Sequence, residues 1–505
     1  MSRNYLRLTR LGIDTHQEPV VYMREDCDVC RSEGFRAQTR VRVNSGDRSI
    51  ICTLDVVRGD FLSHRKAGLS ESAWHLLGAS EGDHATFSHA RPVESMSHVR
   101  GKLYGRRYSE DGARQIIADI AAGRYSDIQL SAYVTSCAAS SLDIDEIIAI
   151  TRAMVDAGRR FDWPRNGPVM DKHCVGGLPG NRTTPIVVAI VAANNLMIPK
   201  TSSRAITSPA GTADTMETLT HVTLDYQRMR EVVQEQGACL AWGGSVSLSP
   251  TDDIIIRVER ALDLDSEGQL VASVISKKVA AGSTHVLLDI PVGPTAKVRS
   301  PALAESLCRL LKQTGEALGL QIHTLISDGS QPVGRGIGPA LEARDVMAVL
   351  RNEDQAPADL RERALTLAAA LLVMGGKAAT DEESMELARR TLDSGDALAR
   401  FEAICQAQGG LKEPPVAAHQ HTLFAEEAGV VVAINNRIIS RLASLAGAPG
   451  DPAAGLDLHV RTGDVVEPGQ PLMTLHAEST GELEYALEFH AGHRGIIHID
   501  PEGAV

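Results

Sequence analysis

The sequence predicts a multidomain α/β protein in which a β-rich segment, a short helical bundle, an α/β body and a C-terminal α+β piece follow one another. Three observations carry this. The chain is 505 residues long, several times one ordinary domain. Helical spacing of apolar residues dominates from Ser109 to Gly158. From about 165 to 345, short apolar runs alternate with amphipathic helices, as in a mostly parallel sheet covered by helices.

Residues 1–92 read as the β-rich domain. "QTRVRVNSGDRSIICTLDVV" alternates apolar and polar residues, as a half-buried strand pair requires. "LSESAWHLLGASEGD" reads as a capped helix ended by Gly78. The helical domain takes 93–158. "SEDGARQIIADIAAG", "SDIQLSAYVTSCAASS" and "LDIDEIIAITRAMVDAG" each open near Ser or Asp and then repeat apolar residues at three and four. In the α/β domain, 159–415, "HVLLDIPVG" and "QIHTLISD" read as buried strands and "ALAESLCRLLKQTGEAL" as a helix. "GGLKEPPVAAHQH" (409–421) reads as a linker. The remainder, 416–505, continues from Gly429 as strand, helix and short strands punctuated by Gly and Pro.

Hydrophobic content of 43% is enough for several cores, and the net charge of −13 argues against nucleic-acid binding by bulk charge. An anionic substrate therefore needs a local basic pocket. The N-terminus makes a poor signal peptide, and the longest apolar stretch, Pro185 to Pro199, is too short to span a bilayer and carries two Asn. Eight scattered cysteines fit a reducing cytoplasm better than a disulfide scaffold.

Three stretches carry chemistry. In "DKHCVGGLPGNRTTP" (171–185), glycines precede a helix that Thr184 caps, with Pro185 at its first position. Free N–H groups and the helix dipole there favour an anion, and Lys172 adds a full charge. A plain glycine turn between strand and helix is the competing reading. The second stretch, "KTSSRAITSPAGTADTME" (200–217), is dense in hydroxyls, carries Arg204 and leads into a helix near Ala213. Ser202, Ser203, Thr207, Ser208 and Thr212 are hydrogen-bonding candidates for phosphate or ribose oxygens. In the third, "ALDLDSEGQLVASVISKKVAAG", Ser273 and Lys277 share one helix face. Asp265 either caps that helix or acts as a general acid if a pocket raises its pKa. "CDVC" (27–30) lacks a second pair at zinc spacing and reads as structural. "GRGIG" (334–338) lacks full dinucleotide spacing and reads as a tight turn. "RTGDVVEPGQPLMTLHA" has the rhythm of a carrier domain but no lysine at a hairpin tip.

"DKHCVGG", "SSRAITSPAGTADTME", "ASVISKKVAAG" and "SDGSQPVGRGIGPALEAR", together and in this order, resemble the thymidine and pyrimidine-nucleoside phosphorylase family over roughly 95–500. The N-terminal extension resembles the longer branch that holds AMP phosphorylases and bacterial relatives described as thymidine phosphorylases. The resemblance implies a helical domain, with part of 250–280, and a larger α/β domain closing over a cleft. It implies phosphorolysis: inorganic phosphate attacks C1′ of thymidine or, in the AMP branch, of a nucleoside 5′-monophosphate, and the base leaves. It places Lys172, Thr184, Ser202 and Thr212 at phosphate-contacting positions. His173 stands at the cleft histidine, and Arg257, Ser273 and Lys277 near the base. Gly177, Ser203, Arg204, Ala205, Ile206, Thr207, Ser208, Thr212, Ser273 and Lys297 match nucleotide-binding positions of the AMP branch, and Asp265 its proton donor. Cys174 departs from the family's usual Ser and is the weaker donor. The resemblance further implies no metal or cofactor beyond phosphate as co-substrate, and a homodimer or larger homo-oligomer. Two rivals are a nucleotide-binding or assembly protein that kept the fold, and a phosphoribosyltransferase, whose acidic magnesium-linked motif the sequence does not contain.

Overall fold

The computed structural model describes residues 5–164, 167–205, 208–264, 266–493 and 495–501. The chain forms two compact units, Met1–Ala157 with Thr251–Gln269, and Gly158–Pro250 with Leu270–Val505.

The first unit begins with β1 (Tyr5–Arg10), β2 (Val20–Arg24), α1 (Asp28–Glu33), β3 (Arg40–Ser45), β4 (Arg48–Val57), β5 (Lys66–Leu69), α2 (Glu71–Leu77) and β6 (His84–His89). The six strands close into a barrel in the order β1-β5-β2-β4-β3-β6. Alternation explains β3 and β4: Val41 and Val43 point inward and are fully buried, while Arg40 and Arg42 alternate with them and are only half-buried. The predicted α2 is capped by Ser70, whose oxygen accepts from Ala73 N–H, and ends at Gly78 with φ 57°. Cys27 and Cys30 are free and buried, and Cys27 Sγ accepts from Cys30 N–H at the start of α1. This matches their reading as structural.

Four helices follow: α3 (Met96–Leu103), α4 (Glu110–Ala121), α5 (Asp127–Ala139) and α6 (Ile144–Asp156). Ser109, Ser126 and Asp143 cap the last three through side-chain oxygens, as the sequence predicts. Lys102 and Glu146, both buried, join α3 to α6 at 2.8 Å.

The second unit opens with β7 (Met170–Cys174), α7 (Thr183–Ala193), β8 (Ile198–Ser202), α8 (Thr212–Glu217), α9 (Tyr226–Gln236) and β9 (Ala238–Trp242). The chain visits the first unit as α10 (Pro250–Leu262) and returns within α11 (Glu267–Ala280). It continues as β10 (His285–Val292), α12 (Pro301–Ala317) and β11 (Gln321–Asp328). The sheet β11-β10-β7 is parallel, and a parallel bridge from Val169 to Met197 joins it to the parallel pair β8-β9. All five strands therefore point their carboxyl ends to one edge. Helix α7 is buried from Thr183 to Ala192, so its residues are apolar almost all round.

Beyond the sheet lie β12 (Gly336–Ile337), α13 (Pro339–Leu350), α14 (Ala358–Met374), α15 (Asp381–Asp393) and α16 (Asp396–Gln408). The chain ends with β13 (His419–Phe424), β14 (Gly429–Ile434), α17 (Asn436–Leu445), β15 (Gly455–Leu458), β16 (Val465–Val466), β17 (Pro471–Ala477), α18 (Thr480–Gly492) and β18 (Ile497–Asp500). These make sheets β12-β15-β17-β13 and β16-β14-β18.

Four local expectations change. β11 is a strand as expected but not a buried one: its residues are exposed or half-buried throughout. The linker gives way at His419 to β13, which pairs along β17. "GRGIG" is more than a turn, because Gly336 and Ile337 form a strand against β15. Helix α7 starts two residues earlier than expected: Arg182 is its N-cap, Thr184 its second residue and Pro185 its third. Proline is tolerated there because its missing N–H is one the first turn leaves unsatisfied. Among the described residues no helix is long and apolar enough to cross a membrane.

Candidate active site

The loops at the carboxyl edge of β7 and β8 gather most of the predicted residues. Lys172 lies in the middle of β7 with its side chain fully buried. Its Nζ donates to Thr183 Oγ1 at 2.8 Å and Thr184 Oγ1 at 3.4 Å, both in the first turn of α7. Burial pushes the Lys172 pKa down, against the pull of Cys174 and Asp289, and the charges of Arg363 and Arg182 push it down further. A buried cation beside a helix N-terminus and two hydroxyls has the chemistry to attract an anion. Thr183 and Thr184 accept from the ammonium, so each keeps its own proton to donate outward.

The chain reaches α7 through a strained turn. Gly177 is exposed with φ 54°. Gly180 has φ 70°, and a Cβ there would sit 2.0 Å from Val333 O. Only glycine fits that approach. Asn181 Nδ2 donates to Cys174 Sγ at 3.2 Å. Burial holds the Cys174 thiol up at about 12, so it stays protonated. Asn181 Oδ1 is buried without a partner among the described residues.

The second loop is built around Asp214. Its Oδ2 accepts from Ala205 N–H at 2.6 Å and Gly211 N–H at 2.9 Å. Arg204 reaches Asp214 at 3.2 Å and Glu217 at 2.5 Å, with its guanidinium 4.8 Å over the Trp242 ring. Its five donors are largely occupied by protein, so Arg204 shapes the loop. Ser203 is exposed, Ser208 Oγ donates to Ala210 O, and Ser202 Oγ is buried with no partner among the described residues. Thr212 opens α8, and its Oγ1 accepts from Arg182 at 2.7 Å. Ile206 and Thr207 lie outside the described residues.

Below both loops sits a charge cluster that the sequence reading missed. Asp171 is fully buried. Its Oδ2 is 2.9 Å from Lys278 Nζ and its Oδ1 3.6 Å from Lys200 Nζ. One carboxylate serves two buried ammonium groups on β8 and α11. Burial first, then the charge of Lys278, brings Lys200 down to about 7. Lys278 thus belongs to this cluster. His173, next to Asp171 and Lys172 on β7, is pushed well below the usual histidine range by burial and by Lys278, Lys200, Lys277 and Lys172. Its imidazole is neutral near pH 7 and offers one N–H donor.

On α11, Leu270, Ser273 and Lys277 are the partly exposed positions along a stretch otherwise buried from Val271 to Ala280. The three-and-four spacing holds, and the charge of Lys277 is felt at His173. Lys297 is exposed in the loop after β10, at the same sheet edge. Arg257 belongs to the other unit, where Asp127 holds its guanidinium at 2.6 and 2.8 Å. Asp265 lies outside the described residues. Arg182, Asp214 and Glu342 were missed too. Asp214 had a local signal, standing three residues after Gly211 as a capping residue does. Arg182 and Glu342 are 160 positions apart and had none.

Residues 166–398 match the model of the glycosyl transferase family, a/b domain. Residues 97–158 match that family's helical bundle domain, and 430–492 the pyrimidine nucleoside phosphorylase C-terminal domain. The chain is 61% identical to the "Putative thymidine phosphorylase" of Hahella chejuensis, over 99% of this chain and 98% of that one. It is 56% identical to the protein of the same name from Legionella pneumophila strain Paris, over 97% and 95%. Its fold is similar to anthranilate phosphoribosyltransferase from Thermus thermophilus, with a TM-score of 0.52 at 20% identity, covering 62% of this chain and 99% of that one. The enzyme from Saccharomyces cerevisiae gives 0.51 at 15%, covering 63% and 98%. The fold and these matches define a pentosyltransferase of the glycosyltransferase class. The chain belongs to the thymidine and pyrimidine-nucleoside phosphorylase family.

Proposed function

We propose that this pentosyltransferase is phosphorolytic and of the thymidine phosphorylase type, converting thymidine and phosphate to thymine and 2-deoxyribose 1-phosphate. The observation that carries it is the set of hydroxyls on Thr183, Thr184 and Thr212. Each accepts a hydrogen bond from a buried cation, and each is left with a proton for a ligand rich in acceptor oxygens. Inorganic phosphate is such a ligand, and it is the co-substrate in this reading, with no metal or further cofactor.

A phosphate oxygen attacks C1′ as the C1′–N bond breaks, and that bond's electron pair goes to the base. The anion site must hold phosphate in line, and the base side must stabilise the developing negative charge. Lys172, Thr184, Ser202 and Thr212 hold phosphate. Ser273 and Lys277 face the base, and neutral His173 donates a hydrogen bond to it. Asp265 is the proposed proton donor, and Arg257 a base contact, from the family resemblance. A nucleoside 5′-monophosphate is the second reading, supported by the exposed Lys297 at the same sheet edge as Gly177 and Ser203. It would give free base and ribose 1,5-bisphosphate. The enzyme acts in the cytoplasm as a homodimer or larger homo-oligomer, without nucleic acid or membrane.

The test is release of free base from thymidine, uridine, AMP and CMP, with and without inorganic phosphate. Phosphate-dependent release from thymidine but not AMP supports the first reading. Release from AMP or CMP alone replaces it with the second. No release from any of the four sinks both.

A further inference from the structure

Arg182 is 8% exposed and touches two separate pieces of the second unit, α13 and the start of α8. Its Nε and Nη2 both lie 2.6 Å from Glu342 Oε2 on α13. Its Nη1 donates to Thr212 Oγ1 at 2.7 Å, and its Nη2 to Ala210 O at 2.9 Å. Glu342 is 1% exposed and accepts from Thr215 Oγ1 at 3.1 Å through the same oxygen. Burial raises its pKa, against the charge of Arg182. Thr212 and Thr215 are three apart and share a face of α8, so the Arg182–Glu342 pair grips that helix at both.

We infer that Arg182 is a positioning residue for phosphate: anchored on Glu342, it fixes Ala210 and Thr212 against the first turn of α7, making one anion site of two loops. Its planar fork explains the residue type, because three partners in different directions need fixed donors that a lysine cannot supply. Arg182 is the N-cap residue of α7, so the same backbone that sets Thr183 and Thr184 carries the group that sets Thr212. The guanidinium need not touch phosphate; it acts through the threonine hydroxyl. This inference rests on the proposed phosphorolysis only for its activity readout.

The experiment uses the full chain with inorganic phosphate as probe. Phosphate binding is followed by isothermal titration and phosphate KM by base release, for wild type, Arg182→Met, Thr212→Val and the double variant. Arg182→Met is expected to weaken phosphate binding about tenfold or more while the nucleoside KM stays within about threefold. Thr212→Val is expected to weaken phosphate binding alone but to add little in the Arg182→Met background, as two residues acting through one contact do. Unchanged phosphate affinity in Arg182→Met, or fully additive losses, overturns the inference. If Arg182→Met does not fold, Arg182→Lys keeps a cation beside Glu342 without the fork. It is expected to bind phosphate several-fold more weakly, and wild-type affinity in it overturns the inference equally. Absence of base release by wild type sinks the proposed reaction and leaves the binding comparison standing.

Discussion

Lys200 is far from the ordinary behaviour of a lysine. It is 3% exposed, shares Asp171 with Lys278, and titrates at about 7. Its folded pKa is lowered, so between about 7 and the unfolded value the unfolded chain binds more protons and stability rises with pH. The destabilisation is therefore complete below about pH 7 and fades toward the lysine model value of 10.5. Lys200→Met should gain more in Tm over wild type at pH 6 than at pH 9, measured by thermal melts; an equal gain at both excludes the shifted pKa. The same substitution removes one of four positive charges around His173, so the imidazole pKa should rise, readable by NMR titration. Lys172→Met should lower kcat/KM for phosphate by about 100-fold or more, because the charge is buried where it is least screened. Lys172, His173 and Thr184 were legible in the sequence because they lie within thirteen consecutive residues. Lys200 and Asp171 were not, since nothing local says that residues 29 positions apart share a carboxylate.

Among the elements, the turn from Gly176 to Arg182 depends on a neighbour remote in sequence. Gly180 meets Val333 O, and Val333 N–H donates to Pro179 O at 3.0 Å. The 334–336 stretch is held in turn by Asp345 Oδ2, which accepts from Arg335 N–H at 2.6 Å and Gly336 N–H at 2.8 Å. Gly180→Ala adds a side chain where φ is positive and a backbone oxygen blocks it. We expect a loss of stability of ~2–4 kcal/mol by chemical denaturation, together with weaker phosphate binding. A variant as stable as wild type would show that the turn can relax. Periodicity read α4, α5, α6, α12 and β10 from sequence because each has a clear apolar face or run, and it found β11 as a strand while wrongly expecting it to be buried. It missed α18, β12 and β13. Two residues of strand carry no period, and β13 alternates histidines with Gln and Thr on a half-exposed surface.

For the whole molecule, the division into two compact units separates the barrel core from the core around α7. Leu54 is fully buried in the barrel. Leu54→Ala should destabilise it by ~2–5 kcal/mol. Phosphate at about a hundred times its Kd should stabilise the site-bearing unit by ~2.7 kcal/mol. Scanning calorimetry of the full chain should therefore show a transition that moves with Leu54→Ala and another that moves with phosphate. A single transition responding equally to both would show that the units unfold as one. The helical and α/β parts were legible as fold class from their patterns. Barrel closure was not, because alternation tells which residues face inward and nothing about which strand is the last partner.

Barrel closure also bears on association between copies during folding. The final seam is β6 against β1, pairing Thr86 with Tyr5 and His84 with Arg7. Until residues 84–89 dock, β1 offers a bare row of backbone donors and acceptors to any passing strand. Once they dock, the six-strand ring has no open rim, and the route to intermolecular strand exchange closes with it.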